Sequence, residues 1–202
     1  APANDTFDGR AYYAAKTAGD GQRRFVFGWL PTRGGENDDG GWEWGGELVV
    51  HELIQQSDGT LTIRPPETVL GAFTIEQSLT PKPILGAWDG LAADAVARHS
   101  LLALGAMPEE CLIEATVTME PGTYAAGLLL RADDAFDGYY QVRLDPANGR
   151  MVIDRWPRPG DQPFMVERPL RIAPGESVTL RVIVSGSNLV VYAGDAALSC
   201  RM

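Results

Sequence analysis

Asp8 to Leu53 reads DGRAYYAAKTAGDGQRRFVFGWLPTRGGENDDGGWEWGGELVVHEL. Two β-type runs, Tyr12 to Thr17 and Arg23 to Trp29, flank the turn-rich Ala18-Gly19-Asp20-Gly21. A Gly/Asp loop from Pro31 to Gly41 follows. The pair Trp42 and Trp44 then leads into a third apolar run, Leu48 to Leu53. After the turn Ser57-Asp58-Gly59, a fourth run covers Leu61 to Arg64. Four short strands joined by turns predict one antiparallel sheet the size of a propeller blade.

The rest of the chain reads as β as well. Ala1 to Thr6 is a polar lead-in, and Pro65-Pro66 marks a boundary, because neither residue can donate to a ladder. Val69 to Gln77 alternates as a strand, Thr80 to Gly90 reads as a connection, and His99 to Leu104 reads as a strand. From Cys111 to Met119 the period is two, with Cys111, Ile113, Ala115, Val117 and Met119 on one face. Tyr124 to Arg131 is a nearly continuous apolar run and is expected to be a central strand. Asp145-Pro146-Ala147-Asn148-Gly149 joins two strands as a hairpin turn, and Pro157 to Pro174, with five prolines, reads as a loop. Val178 to Val184, Leu189 to Tyr192 and Leu198 to Met202 complete the pattern. The expected fold class is all-β: a four-stranded blade-like sheet followed by an antiparallel β-sandwich of the concanavalin or jelly-roll type.

Composition narrows the partners. With 45% apolar and 22% charged residues, the 202-residue chain has an ordinary globular balance and enough length for a sizeable core. A formal net charge of -10 opposes a phosphate backbone, so nucleic acid is not an expected partner. No apolar run reaches the roughly 20 residues of a membrane helix, so no membrane partner is expected either. Two cysteines, Cys111 and Cys200, are too few for a zinc cluster and are read as buried free thiols, with a single disulfide between them as the alternative. The compartment stays open, with the balance leaning to the cytoplasm over secretion. No cofactor or metal site is expected. His51 and His99 lack partners at ligand spacing, and Ala135 breaks the calcium-loop spacing of Asp133, Asp134 and Asp137, which read as a solvated turn.

The ordered motifs of the first third resemble glycoside hydrolase family 32, the invertase and fructanase family. The matching residues are Asp8, Tyr12, Tyr13, Ala14, Lys16 and Thr17, then Arg23, Arg24, Gly28 and Trp29. Trp44, Gly46, Glu52 and Leu53 follow, with Asp58, Gly59, Leu61 and Pro65 after them. Two places depart from the pattern: Gly9 stands one position early, and Val50-His51 replaces a Pro-Arg pair. The run Gly149 to Arg155 is similar to a recurring strand of that family's C-terminal sandwich. The resemblance implies that residues 1–64 are the last blade of a five-bladed propeller and residues 65–202 the C-terminal β-sandwich. It also implies a parent enzyme that cleaves fructose from sucrose or fructans with retention. The partners implied are such a carbohydrate and either the missing N-terminal blades or another copy of the chain.

Hydrolysis of a glycosidic bond needs two carboxyl groups facing it. The family's W-x-N-D-P and R-D-P motifs do not occur here. Glu110-Cys111 spells the family's acid motif but opens a sandwich strand, and is read as a strand-edge carboxylate beside a core cysteine. No catalytic residue is assigned. The substrate-binding candidates are Asp8, implied by the resemblance to accept bonds from sugar hydroxyls at a pocket rim, and Trp44 and Trp42 as apolar walls for a sugar ring. Asp8 capping its own backbone turn and tryptophans buried in the blade are the structural alternatives; Tyr12 and Tyr13 are assigned to packing. A non-catalytic carbohydrate-binding sandwich module is the alternative function.

Overall fold

The computed structural model describes residues 6–37, 40–158 and 166–202. The first five residues of the polar lead-in, Asp38-Asp39 and part of the Pro157–Pro174 stretch lie outside the described residues.

The front sheet has the order β1-β2-β3-β4, all antiparallel, with β1 Tyr13–Gly19, β2 Arg24–Arg33, β3 Trp42–Gln55 and β4 Leu61–Arg64. It is the four-stranded unit expected from the turns, with β2 and β3 longer than their apolar runs. Its two faces differ because side chains alternate along each strand. Leu30, Val49 and Ile63 point inward and are buried. Phe25, Phe27, Trp29, Leu48 and Val50 point the other way, and no other sheet among the described residues covers them; Leu48 is 65% exposed. Across the outer face, buried Glu52 accepts from the Arg64 Nε and Nη2 at 3.1 and 3.0 Å.

Behind the front sheet lie two more four-stranded sheets. One has the order β16-β15-β14-β9, built from β9 Cys111–Thr118, β14 Ser177–Ser185, β15 Asn188–Ala193 and β16 Ala196–Arg201. The other has the order β10-β11-β12-β13, from β10 Ala126–Leu130, β11 Tyr139–Asp145, β12 Arg150–Trp156 and β13 Val166–Pro169. These two form the expected sandwich, and Val142, Leu144, Met151, Ile153, Val182, Leu189, Val191 and Leu198 interdigitate between them. The β14–β16 sheet is apolar on its other face as well. Ile183, Val190, Tyr192 and Ala197 pack against Leu30, Val49 and Ile63 of the front sheet. It is therefore the middle of three layers, and every residue of β15 and β16 is buried.

Four expectations of the sequence are corrected. Val69–Gln77 is not a strand: a helical turn, α1 Glu67–Leu70, follows Pro66. Val69, Leu70 and Phe73 pack together on the front core, a spacing of three to four that suits a helical turn rather than a ladder. The Thr80–Gly90 connection contains β5 Lys82–Leu85 and the start of a small ribbon, β6 Trp88–Asp89 with β7 Ala92–Ala93. β5 pairs with β8 Leu101–Ala103, the strand expected near His99–Leu104. The apolar run Tyr124–Arg131 holds an edge strand, β10, because β11 alone pairs with it. The proline-rich stretch holds edge strand β13, which ends at Pro169, a position where a proline costs no ladder bond.

The hairpin turn at 145–149 is as expected: Asp145 accepts from the Asn148 backbone, and Gly149 takes φ 62°. Both cysteines are free and buried. Gly9 illustrates how closely the N-terminal segment fits. A Cβ there would lie 2.5 Å from the Cδ1 of Leu198. Gly9→Ala is therefore expected to lower stability by about 1–3 kcal/mol through overpacking, measured by urea unfolding.

Candidate functional site

Two bulges shape the end of the front sheet. On β1, Ala14 and Ala15 stand opposite the single residue Gly28, and Ala14 takes φ 53°. On β3 the register with β2 shifts between Pro31–Gly46 and Thr32–Glu43, so Trp44 and Gly45 bulge, with Gly45 at φ 135°. Gly46 closes that bulge, since a Cβ there would collide with the Leu30 carbonyl. Bulges re-aim side chains. Here they bring Tyr13 and Trp44 onto Trp29. Ring centroids are 5.3 Å apart for Tyr13–Trp29, 5.5 Å for Tyr13–Trp44 and 5.9 Å for Trp29–Trp44.

These rings open into a groove of about 280 Å3 lined also by Arg10, Pro31, Trp42 and Glu43. Trp44 is 82% exposed and Trp42 56%. The Arg33 guanidinium sits 3.8 Å over the Trp42 ring and donates to the Gly40 carbonyl at 2.9 Å, which fixes that indole. The sequence-assigned pair Trp42 and Trp44 thus share one groove and stand at the surface. Tyr13, assigned to packing, is half-exposed in the same groove, and Trp29 forms its base. The tandem glycines after Trp44 were the signal for the bulge, but a register shift becomes visible only once strands are paired.

Asp8 is elsewhere. Its side chain is fully buried, so it does not present a rim to a ligand. Oδ1 accepts from the backbone N–H of Gly9 at 2.5 Å and of Ser199 at 2.7 Å; Oδ2 accepts from the Ser199 hydroxyl at 2.5 Å. The same Oδ2 lies 2.9 Å from His51 Nε2, and His51 Nδ1 lies 2.7 Å from the Tyr192 hydroxyl. A carboxylate only accepts, so the ring donates through Nε2, and in that neutral tautomer Nδ1 accepts a hydrogen bond from the Tyr192 hydroxyl. Asp, His and Ser are all present, yet Ser199 bonds the aspartate and not the histidine, and the cluster has no opening. It is a clamp between the N-terminal segment, β3, β15 and β16, and His51 fills the place where the resemblance leads one to expect an arginine. Tyr12 completes the corner: its hydroxyl is 3.0 Å from the Val26 carbonyl and 3.2 Å from that of Val49. Its ring occupies the space that a side chain at Gly28 would need.

The groove holds one carboxylate, Glu43, among its lining residues. Aromatic faces with a single acid suit the binding of a sugar ring better than two-carboxylate hydrolysis. Glu110 precedes β9 and accepts from the Gly186 N–H at 2.7 Å. Asp133 and Asp137 lie in a turn, with the Asp137 N–H donating to Asp133 Oδ1 at 2.9 Å. His99 is exposed. No group of three or more potential metal ligands occurs among the described residues, and none of their helices is long and apolar enough to cross a membrane.

No family model matches the sequence, and no curated protein matches it. Solved structures do match the fold. All of this chain superimposes on an exo-inulinase from Aspergillus awamori, with a TM-score of 0.68 and 18% identity, covering 40% of that chain. A sucrose-6-phosphate hydrolase from Lactobacillus gasseri matches over 98% of this chain and 38% of its own, with a TM-score of 0.63 and 15% identity. A family 32 β-fructofuranosidase from Bombyx mori matches over 97% of this chain and 37% of its own, at 0.54 and 19%. The resemblance to glycoside hydrolase family 32 extends to the fold. The chain spans about two fifths of the length of these enzymes.

Two outcomes follow from the buried clamp. Asp8→Ala leaves His51 and the Ser199 N–H and hydroxyl without their acceptor, and is expected to cost about 3–5 kcal/mol in urea unfolding. Burial, and then the charge of Asp8, holds the Tyr192 phenol well above 10, and burial pushes the Cys200 thiol up to about 12. The unfolded chain releases these protons first, near 9 for the thiol and 10 for the phenol. It then binds fewer protons than the folded chain, so the stability these two groups contribute is level below about pH 9 and is expected to fall between about pH 9 and 12. Urea midpoints measured across that range check the sign.

Proposed function

We propose that this chain is the C-terminal part of a β-fructofuranosidase-like glycoside hydrolase that acts on sucrose or fructans. Residues 1–64 would be the last blade of its five-bladed propeller and residues 65–202 its β-sandwich. The observation that carries this reading is the groove of Tyr13, Trp29, Trp42 and Trp44, on a sheet whose motifs resemble glycoside hydrolase family 32 and whose fold resembles an exo-inulinase and a β-fructofuranosidase. The apolar outer face of the front sheet supports it, since Phe25, Phe27 and Leu48 are the kind of surface on which another blade packs. On this reading the chain supplies one aromatic wall of a fructose-binding pocket, and the acid and nucleophile come from other blades. Asp8 then acts behind the wall, holding β3 in place.

The test uses the chain as it stands. Titration with a short fructo-oligosaccharide is expected to give weak saturable binding, reduced about tenfold by Trp44→Ala, the loss of one stacking ring. Assays on sucrose and inulin are expected to show no turnover by the chain alone. Turnover by the isolated chain, or binding indifferent to Trp44, overturns the reading.

A further inference from the structure

The molecule has a second, larger groove, of about 390 Å3, far from the tryptophan pair in sequence. It opens where one sheet of the sandwich ends. β10 stops at Leu130, β11 begins at Tyr139 and β12 stops at Trp156, and the register Leu130–Tyr140–Arg155 puts all three at the same end. Arg131, Asp133, Tyr139, Tyr140, Arg155 and Trp156 line the groove. Tyr140 packs against the core, while Trp156 is half-exposed.

The walls of this groove are fixed in advance. The Arg131 guanidinium donates to the Gly186 carbonyl, in the β14–β15 turn of the opposite sheet. That turn is held from two more sides, by Glu110 and by the Asn188 amide donating to Glu47 of β3. The loop after Arg131 closes on itself: the Asp133 N–H donates to the Gly138 carbonyl at 2.9 Å, and Asp133 Oδ1 accepts from Asp137. Arg131 and Phe136 both take left-handed φ values, 50° and 57°. A non-glycine residue in this conformation is strained, and strain of this kind gathers at ligand sites.

We propose that this groove is a saccharide-binding site that takes one ring of a neutral oligosaccharide. A half-exposed indole offers a flat apolar face to the C–H side of a sugar ring. Guanidinium and phenol groups donate to hydroxyl oxygens, and the carboxylate of Asp133 accepts from hydroxyl protons. That mixture of donors and acceptors around one aromatic plane matches a polyol. Arg131 is engaged by the Gly186 carbonyl, and Asp133 sets a negative charge against the two guanidiniums of the lining, so charge alone does not direct the groove to a phosphorylated sugar. None of these residues lies in β1–β4, so the site is independent of the tryptophan groove and of the fragment reading above.

Calorimetric titration separates the two grooves. The full chain carrying Trp44→Ala, which silences the front groove, is titrated with a short fructo-oligosaccharide, a short malto-oligosaccharide and sucrose 6-phosphate. Saturable binding of at least one neutral sugar is expected to persist in this background. Adding Trp156→Ala is expected to weaken it about tenfold or more, with Trp156→Phe restoring part of the loss. Asp133→Asn keeps the loop's acceptor for Asp137 and is expected to weaken binding several-fold; it serves if Trp156→Ala fails to fold. Three results overturn the proposal: no saturable binding of either neutral sugar, binding of the phosphate ester alone, or affinity unchanged by both substitutions. Binding by the unmodified chain that Trp44→Ala abolishes would overturn this site while upholding the front groove.

Discussion

The carboxylate of Asp8 ties the front sheet to the middle one. It receives four hydrogen bonds in a place sealed from water, from Gly9, from Ser199 twice and from His51. A buried charge is tolerable only when its lone pairs are occupied, and here every donor comes from a segment whose position it fixes. His51 belongs to the front sheet and Ser199 to the middle one, while Tyr192, also in the middle sheet, holds the far side of the imidazole. The apolar contacts around this network are not directional. The hydrogen bonds are, and they set how the front sheet registers on the sandwich.

That registration leaves the ends of the sheets free for other work. Both grooves lie where regular pairing breaks down: one between the bulges at Ala14 and Trp44-Gly45, the other beyond the last paired residues of β10 to β12. A flat ladder would have spread Tyr13, Trp29 and Trp44 along the sheet. The extra residues on either side of β2 turn them toward one another. The same logic accounts for the left-handed backbone at Ala14 and Arg131, two non-glycine residues beside the two grooves.

Much of this was legible in the residues. The four front strands, the period of two in Cys111–Thr118 and the hairpin turn at Asp145–Gly149 follow from alternation and turn chemistry, and they are where those rules put them. Trp42 and Trp44, candidates for a sugar-facing wall with burial in the blade as the alternative, stand at the surface. The failures share a cause, which is context from distant chain. The helical turn at Glu67–Leu70 looked like a strand until its apolar residues were seen packing on the front core. β10 looked central because its side chains are apolar, yet edge or centre depends on partners that no local window contains. Asp8 looked like a rim residue because its neighbours spell a sugar-enzyme motif; that Ser199, 191 positions away, would enclose it was not written nearby.

That separation also bears on how the chain is made. Synthesis delivers the front sheet well before its middle-layer support, so Leu30, Val49 and Ile63 must wait for β15 and β16 to emerge. Closing contacts of such long range is slow. During translation the nascent chain therefore carries a finished apolar face with nothing to lie against. That interval closes only when β15 and β16 have left the ribosome.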